Sequence, residues 1–134
     1  MGELSKGAKI VFFINAIIAF IYAFLFIAIP EIYAQLTDAV IRGVYSPTSW
    51  RQLGVSILVL GIGAILSINS NDTEKAKIFW DVAIIWLILM LAISIWGLFA
   101  TPQTSTSFVN DIIAAIILAF LAIINAYFYY QETQ

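Results

Sequence analysis

The segment that decides the fold is residues 50–68, WRQLGVSILVLGIGAILSI. It is apolar along its length, but a helix of 3.6 residues per turn gives it two sides of small or polar residues, about 120° or more apart. The first side is Arg51, Gly54 and Gly61, and the second is Gln52, Ser56, Gly63 and Ser67. In a bilayer, small residues let neighbouring helix backbones approach closely. We therefore expect Gly54, Ser56, Gly61 and Gly63 to be helix-packing positions, and this helix to be the centre of a bundle.

The composition places the whole chain in a membrane. Of its 134 residues, 63% are hydrophobic and 10% are charged, whereas soluble domains have roughly 25% charged residues. The apolar residues fall into four runs, each long enough to cross a hydrocarbon core of roughly 30 Å. The predicted spans are residues 10–29, 50–68, 78–99 and 108–130. The sequence predicts an all-α protein, with residues 1–134 forming one four-helix integral membrane domain.

A short amphipathic helix is predicted between the first two spans, over residues 31–42. Its polar residues recur at helical spacing and form one stripe: Glu31, Gln35, Asp38 and Arg42. Ile32, Leu36 and Val40 lie opposite that stripe, so we expect them to face lipid or the bundle. Such a helix lies in the membrane interface. A role as a lid or spacer is favoured over a role in binding.

Several classes of function are disfavoured by what the sequence lacks. It has no Cys and no His, which removes disulfides, thiolate metal sites and the commonest haem, copper and zinc ligand. A net charge of −2 without a basic cluster argues against nucleic-acid binding. No nucleophile stands beside a base. We therefore expect no catalytic residue, metal or cofactor, and we expect the partners to be the lipid bilayer and other membrane subunits or further copies of the chain.

The orientation follows from the basic residues of the short loops. Cytoplasmic loops carry an excess of Lys and Arg. One side of the predicted bundle carries Lys6, Lys9, Lys75 and Lys77, and the other carries Arg42 and Arg51. This excess favours a cell-membrane protein with both termini in the cytoplasm.

Polar residues inside the spans are the candidate site. Asn15, Ser67, Asp81 and Asn125 are expected at similar depth near the cytoplasmic end, and polar groups at membrane depth are costly unless they pair. Asp81 is therefore predicted to meet Asn15, Asn125 or both. Its carboxylate is either a protonatable group in a proton or cation path, or a structural group near a helix amino terminus, which we favour. At the other end, Arg51 and Asp111 are predicted to form an ion pair.

The order of features resembles the DoxX-like group of small four-helix membrane proteins. The points of resemblance are a first span that ends at Pro30, an intervening amphipathic stretch, and an Arg51-x-x-Gly54 opening to a glycine-bearing second span. Some members of that group accompany membrane redox complexes, and the resemblance implies no particular activity.

Two functions remain open from the sequence. The first is a non-enzymatic structural or accessory subunit that acts through helix packing. The alternative is a small transporter or membrane ligand-binding protein that uses the polar cluster around Asp81. A water-accessible cavity reaching Asp81 would favour the alternative, and a tightly packed, fully bonded Asp81 would favour the first.

Overall fold

The computed structural model describes residues 2–134, and this part of the chain forms five α-helices and no strand. The helices are α1 (Lys6–Ile27), α2 (Pro30–Leu36), α3 (Pro47–Ser70), α4 (Thr73–Ala100) and α5 (Ser105–Glu132). All but α2 are long and apolar enough to cross a membrane. The predicted all-α bundle, with a short helix between its first two spans, is confirmed.

The two ends of the bundle are distinguished by the segments that lie there. At one end, Thr73 donates hydrogen bonds from its N–H and its hydroxyl to the Gly2 carbonyl, at 3.2 and 3.0 Å. The Ser5 N–H donates to Glu132 Oε1 at 3.0 Å. We call this the termini end. The opposite end carries α2 and the loop between α4 and α5, and we call it the α2 end.

Glycines of α3 bring this helix into close contact with α1. A Cβ atom at Gly54 would lie 2.6 Å from Cγ1 of Ile27, and one at Gly61 would lie 2.9 Å from the Phe20 ring. Real Cβ atoms do not approach other atoms so closely, so only glycine allows this backbone separation. The packing of α1 on α3 is the most extensive between any two helices of the described chain.

The second side of α3 meets α4. Gly63 lies against the Phe79 ring, which leaves no room for a Cβ atom. Ser56, which was also expected at a packing position, donates its hydroxyl hydrogen bond within its own helix, to the Leu53 carbonyl at 2.7 Å. The α4 helix itself packs mainly on α5. The bundle therefore consists of two closely packed pairs, α1–α3 and α4–α5.

A hydrophobic core of buried residues lies at the termini end. Phe12 and Trp80 are both fully buried, and their ring centroids are 4.7 Å apart. Alanines from three helices surround them: Ala8, Ala16, Ala64 and Ala76. Small residues around two large rings let the helices converge here.

The predicted amphipathic helix is shorter than residues 31–42, and this corrects the prediction. The α2 helix ends at Leu36, and residues 37–43 form turns. Asp38 adopts a left-handed conformation with φ of 60°, which interrupts a right-handed helix. Ile32, Leu36 and Val40 are exposed on the outside of the bundle. The side of this segment that faces the bundle carries smaller residues, which are buried: Pro30, Ala34, Thr37 and Ala39.

Candidate functional site

At the termini end, three helices meet through one buried side chain, Asn125 of α5. Its Oδ1 accepts hydrogen bonds from Asn15 Nδ2 of α1 at 2.7 Å and from Trp80 Nε1 of α4 at 2.9 Å. Its Nδ2 donates to Asn15 Oδ1 at 2.9 Å and to the Leu121 carbonyl at 2.7 Å. Asn125 is 0% exposed, so these four bonds satisfy an amide that has no access to water.

Asp81 and Ser67 do not join this cluster. Asp81 is exposed on the outside of the bundle, and the Ser67 hydroxyl donates to the Gly63 carbonyl of its own helix at 2.9 Å. Consecutive helical residues point about 100° apart, so Trp80 and Asp81 cannot both face inward. The Nε1–H group of Trp80 bonds to Asn125 in the position that the sequence predicts for the Asp81 carboxylate. The predicted contact of Asp81 with Asn15 or Asn125 is therefore wrong.

The predicted ion pair at the α2 end is also wrong, because each partner pairs with a different residue. Asp111 Oδ2 lies 3.4 Å from Nη1 of Arg42, whose side chain is only 8% exposed. Arg51 lies 3.3 Å from Glu31, and both of these side chains are about half exposed. Similar depth along the helices predicted that Arg51 pairs with Asp111. Instead, the turn after α2 places Arg42 at the end of the bundle, where it contacts Asp111 of α5.

Arg42 also fastens the α4–α5 loop. Its Nε donates to the Pro102 carbonyl at 2.7 Å, and its Nη2 donates to Thr101 Oγ1 at 2.9 Å. Nearby, the Thr104 hydroxyl donates to Asp38 Oδ2 at 2.6 Å. Thr104 and Ser107 form the capping box that begins α5. The turn after α2 is thus bonded to both the loop and the last helix.

Tyr33 of α2 extends this polar region inward. Its hydroxyl donates to Asn110 Oδ1 at 3.4 Å. Burial raises the pKa of Tyr33 to about 12, and the neighbouring Tyr22 and Asp111 add to the rise. The phenol therefore keeps its proton at neutral pH and acts as a hydrogen-bond donor.

Between the two polar ends lies a cavity of about 350 Å³, to which all five helices contribute. It reaches from Asn15 near the termini end to Arg42 and Asp111 at the α2 end. Its wall is largely apolar and includes Ile57, Leu60, Ala83, Leu87, Ala114 and Leu118. The two helix pairs make fewer contacts with each other than within each pair, and the space between them forms this cavity.

Sequence reasoning missed the cavity. Ile57 and Leu60 lie between the two small-residue sides of α3 and read as ordinary apolar positions, but both line it. A helix face that borders an internal cavity has the same composition as one that borders lipid, so hydrophobicity cannot separate them. Asp81 is not part of the wall.

The cavity has the chemistry of a small-molecule site. Protein ligand pockets are mostly apolar, have volumes of about 300–1,000 Å³ and carry a few well-placed polar groups. Among residues 2–134, no three acidic side chains lie close enough to hold a metal ion. Comparison with models of protein families, with curated proteins and with solved structures finds no match. The resemblance to the DoxX-like group therefore stays a prediction.

The Asn125 cluster leads to a stability prediction. We expect Asn125→Leu to lower the free energy of unfolding by about 2–4 kcal/mol, because it leaves the Trp80 N–H and the Asn15 amide without partners. Asp81→Leu, on the adjacent but exposed position, should change stability by no more than about 0.5 kcal/mol. Denaturant titration in mixed micelles measures both. An equal loss in the two variants would contradict the assignment.

The two arginines form a second matched pair. We expect Arg42→Met to cost about 2–3 kcal/mol, since it leaves the partly buried Asp111 carboxylate unpaired. Arg51→Met should cost about 0–1 kcal/mol, because its ion pair with Glu31 is exposed. The same titration compares them, and a larger effect at Arg51 would show that the turn after α2 is not fixed as described.

Proposed function

We propose that this chain is an integral membrane protein that binds a small apolar or amphipathic molecule inside its helix bundle. The observation that carries the proposal is the cavity of about 350 Å³, with its largely apolar wall and a polar region at each end. It supports the ligand-binding alternative left open by the sequence. In this proposal the ligand contacts the polar residues that line the cavity, and not Asp81, which lies outside it.

The hydrogen bonds at the two ends support a preformed site. Asn125 joins α1, α4 and α5 at the termini end. Arg42 joins the turn after α2 to the α4–α5 loop and lies beside Asp111 of α5 at the opposite end. Because both ends are bonded between helices, the cavity between them does not depend on a ligand to hold its walls in place. A preformed site reduces the entropy lost on binding.

A binding role is favoured over catalysis. The sequence contains neither His nor Cys, and the oppositely charged Arg42 and Asp111 at the cavity are paired with each other. We therefore propose that the protein holds, carries or presents its ligand without transforming it.

A role as an accessory subunit is the second candidate, and the position of Asp81 favours it. This carboxylate lies on the outside of α4 between exposed apolar residues, Ile78 at 73% and Val82 at 55% exposure. A charge beside acyl chains is costly. The Tyr129 side chain of α5 lies beside Asp81, and a polar group on a partner subunit would lower the remaining cost. The alternative environment for Asp81 is the polar headgroup layer of the bilayer, because Lys77, a charged residue, lies one helical turn away.

We also propose that the termini end faces the cytoplasm, on the evidence of the lysine excess there. Because the chain has no Cys, single-cysteine variants report orientation without background. We expect a membrane-impermeant maleimide added to intact cells to label Val44→Cys at the α2 end and to leave Lys75→Cys at the termini end unlabelled. The reverse pattern would overturn the orientation.

The binding proposal is tested by filling the cavity. Ala114 lines it, whereas Ala126 lies on the exposed side of the same helix. We expect the wild-type protein and Ala126→Phe, purified from native membrane, to retain the same small molecule when their extracts are compared by mass spectrometry. Ala114→Phe should retain less than about a tenth as much, because its ring occupies the site.

Two results of this experiment would count against the proposal. One is an equal small-molecule content in all three proteins. The other requires Asp81→Leu as a fourth protein: a stoichiometric partner polypeptide that is present in the wild type and lost in Asp81→Leu, with no small molecule in any preparation, would favour the accessory-subunit candidate.

A further inference from the structure

The hydroxyl groups that line the cavity differ in whether the protein satisfies them. The Thr37 hydroxyl donates to the Tyr33 carbonyl at 2.9 Å, and Tyr33 donates to Asn110. Tyr22 and Ser94 also line the cavity, and among residues 2–134 neither of their hydroxyls makes a hydrogen bond. Both residues are partly exposed, so their hydroxyls can bond a molecule that enters the cavity. We propose that the ligand is an uncharged amphiphile whose hydroxyl or carbonyl oxygen binds Tyr22 and Ser94, with its apolar tail toward the termini end.

The two hydroxyls lie at matching depth. Tyr22 is five residues before the end of α1, and Ser94 is six residues before the end of α4. At 1.5 Å per residue, both are about 8–9 Å inside the α2 end. Asn110, five residues after the start of α5, lies at the same level and makes only two long hydrogen bonds, each of 3.4 Å. Three helices therefore present polar groups to one level of the cavity.

The charges around this level favour a neutral head group. Arg42 is paired with Asp111, and a second carboxylate, Asp38, lies in the same network through Thr104. The local sum of one cation and two carboxylates opposes an anionic head. A cationic head would have to leave water for a largely apolar cavity, at a cost that hydrogen bonds to two neutral hydroxyls do not offset. An uncharged oxygen fits both constraints.

The apolar tail of the ligand is inferred from the cavity wall between this level and the termini end. On α5 the lining residues run from Asn110 to Leu121, a rise of about 16 Å. Asn110 and Asp111 lie at the α2 end of this stretch, and its other lining residues are apolar: Ala114, Ile117, Leu118 and Leu121. The site thus suits one medium-length hydrocarbon chain attached to a compact oxygen-bearing head.

This inference rests on the proposed binding function, and photolabelling tests the two separately. The probe is dodecanol with a mid-chain diazirine, added to the full-length protein in lipid nanodiscs, with labelled peptides identified by mass spectrometry. We expect labelling of cavity residues that dodecanol and monododecanoylglycerol suppress. Dodecanoate, dodecyltrimethylammonium and dodecane should require at least about tenfold higher concentrations. If monododecanoylglycerol competes more strongly than dodecanol, the natural ligand is a membrane lipid. If dodecanol competes more strongly, the natural ligand is a free alcohol.

Variants separate the head-group contacts from packing. Tyr22→Phe combined with Ser94→Ala keeps the shape of the wall and should weaken dodecanol competition about fivefold to tenfold, as expected for one or two lost hydrogen bonds. The control is Tyr130→Phe with Ser105→Ala, both exposed and outside the cavity, and it should match the wild type.

The failures are distinguishable. Undiminished labelling in Ala114→Phe overturns the binding function itself, and so does absence of cavity labelling in a wild-type protein that retains no small molecule from native membrane. Absence of labelling in a wild-type protein that does retain a small molecule overturns only the proposed head group. Cavity labelling that dodecane or dodecanoate suppresses as well as dodecanol does overturns only the proposed head group, and so does an unchanged Tyr22→Phe/Ser94→Ala variant.

Discussion

The structure depends on the hydrogen bonds of a single buried amide, Asn125. Helices in lipid gain little from the hydrophobic effect when they associate, because the surrounding acyl chains are as apolar as their own side chains. Close packing and hydrogen bonds must hold them together instead. Glycines supply the packing between α1 and α3, while Asn125 joins α5 to both Asn15 and Trp80 and so connects the two helix pairs.

The fixed contacts lie mainly at the two ends, and this explains the middle of the molecule. At the termini end, rings and alanines fill the space around the amide pair. At the α2 end, a turn that carries Arg42 lies over the bundle and bonds to the α4–α5 loop. Between these ends the pairs are held at a distance that their side chains do not fill. The cavity is thus a consequence of how the helices are joined. Tyr33 and Asn110, which line the cavity near the α2 end, also bond α2 to α5.

The sequence predicted the architecture well and the side-chain partners only in part. Apolar run lengths predicted the four long helices. Depth placed Asn15 and Asn125 in one candidate polar cluster with Asp81, and in the structure these two amides bond to each other. Depth failed for Asp81 because it does not specify rotation about the helix axis, and the neighbouring Trp80 took the inward direction. It failed for Asp111 because the true partner, Arg42, belongs to a turn set by the left-handed Asp38, which no helical periodicity reveals. The cavity left no mark in the sequence, since its wall and the lipid-facing surface share one composition.

The long separation in sequence between Asn125 and its partner Asn15 affects how the bundle forms. Ribosomes deliver the helices in order, and Asn15 is synthesised 110 residues before the amide that it bonds. Arg42 likewise precedes the Pro102 carbonyl by 60 residues. A nascent chain that has not yet released α5 therefore holds an asparagine, an indole N–H and a guanidinium without their final partners. Insertion of α5 provides the Asn125 amide for the first two groups and the Asp111 carboxylate for the guanidinium, so the two helix pairs can be joined only after α5 has entered the bundle.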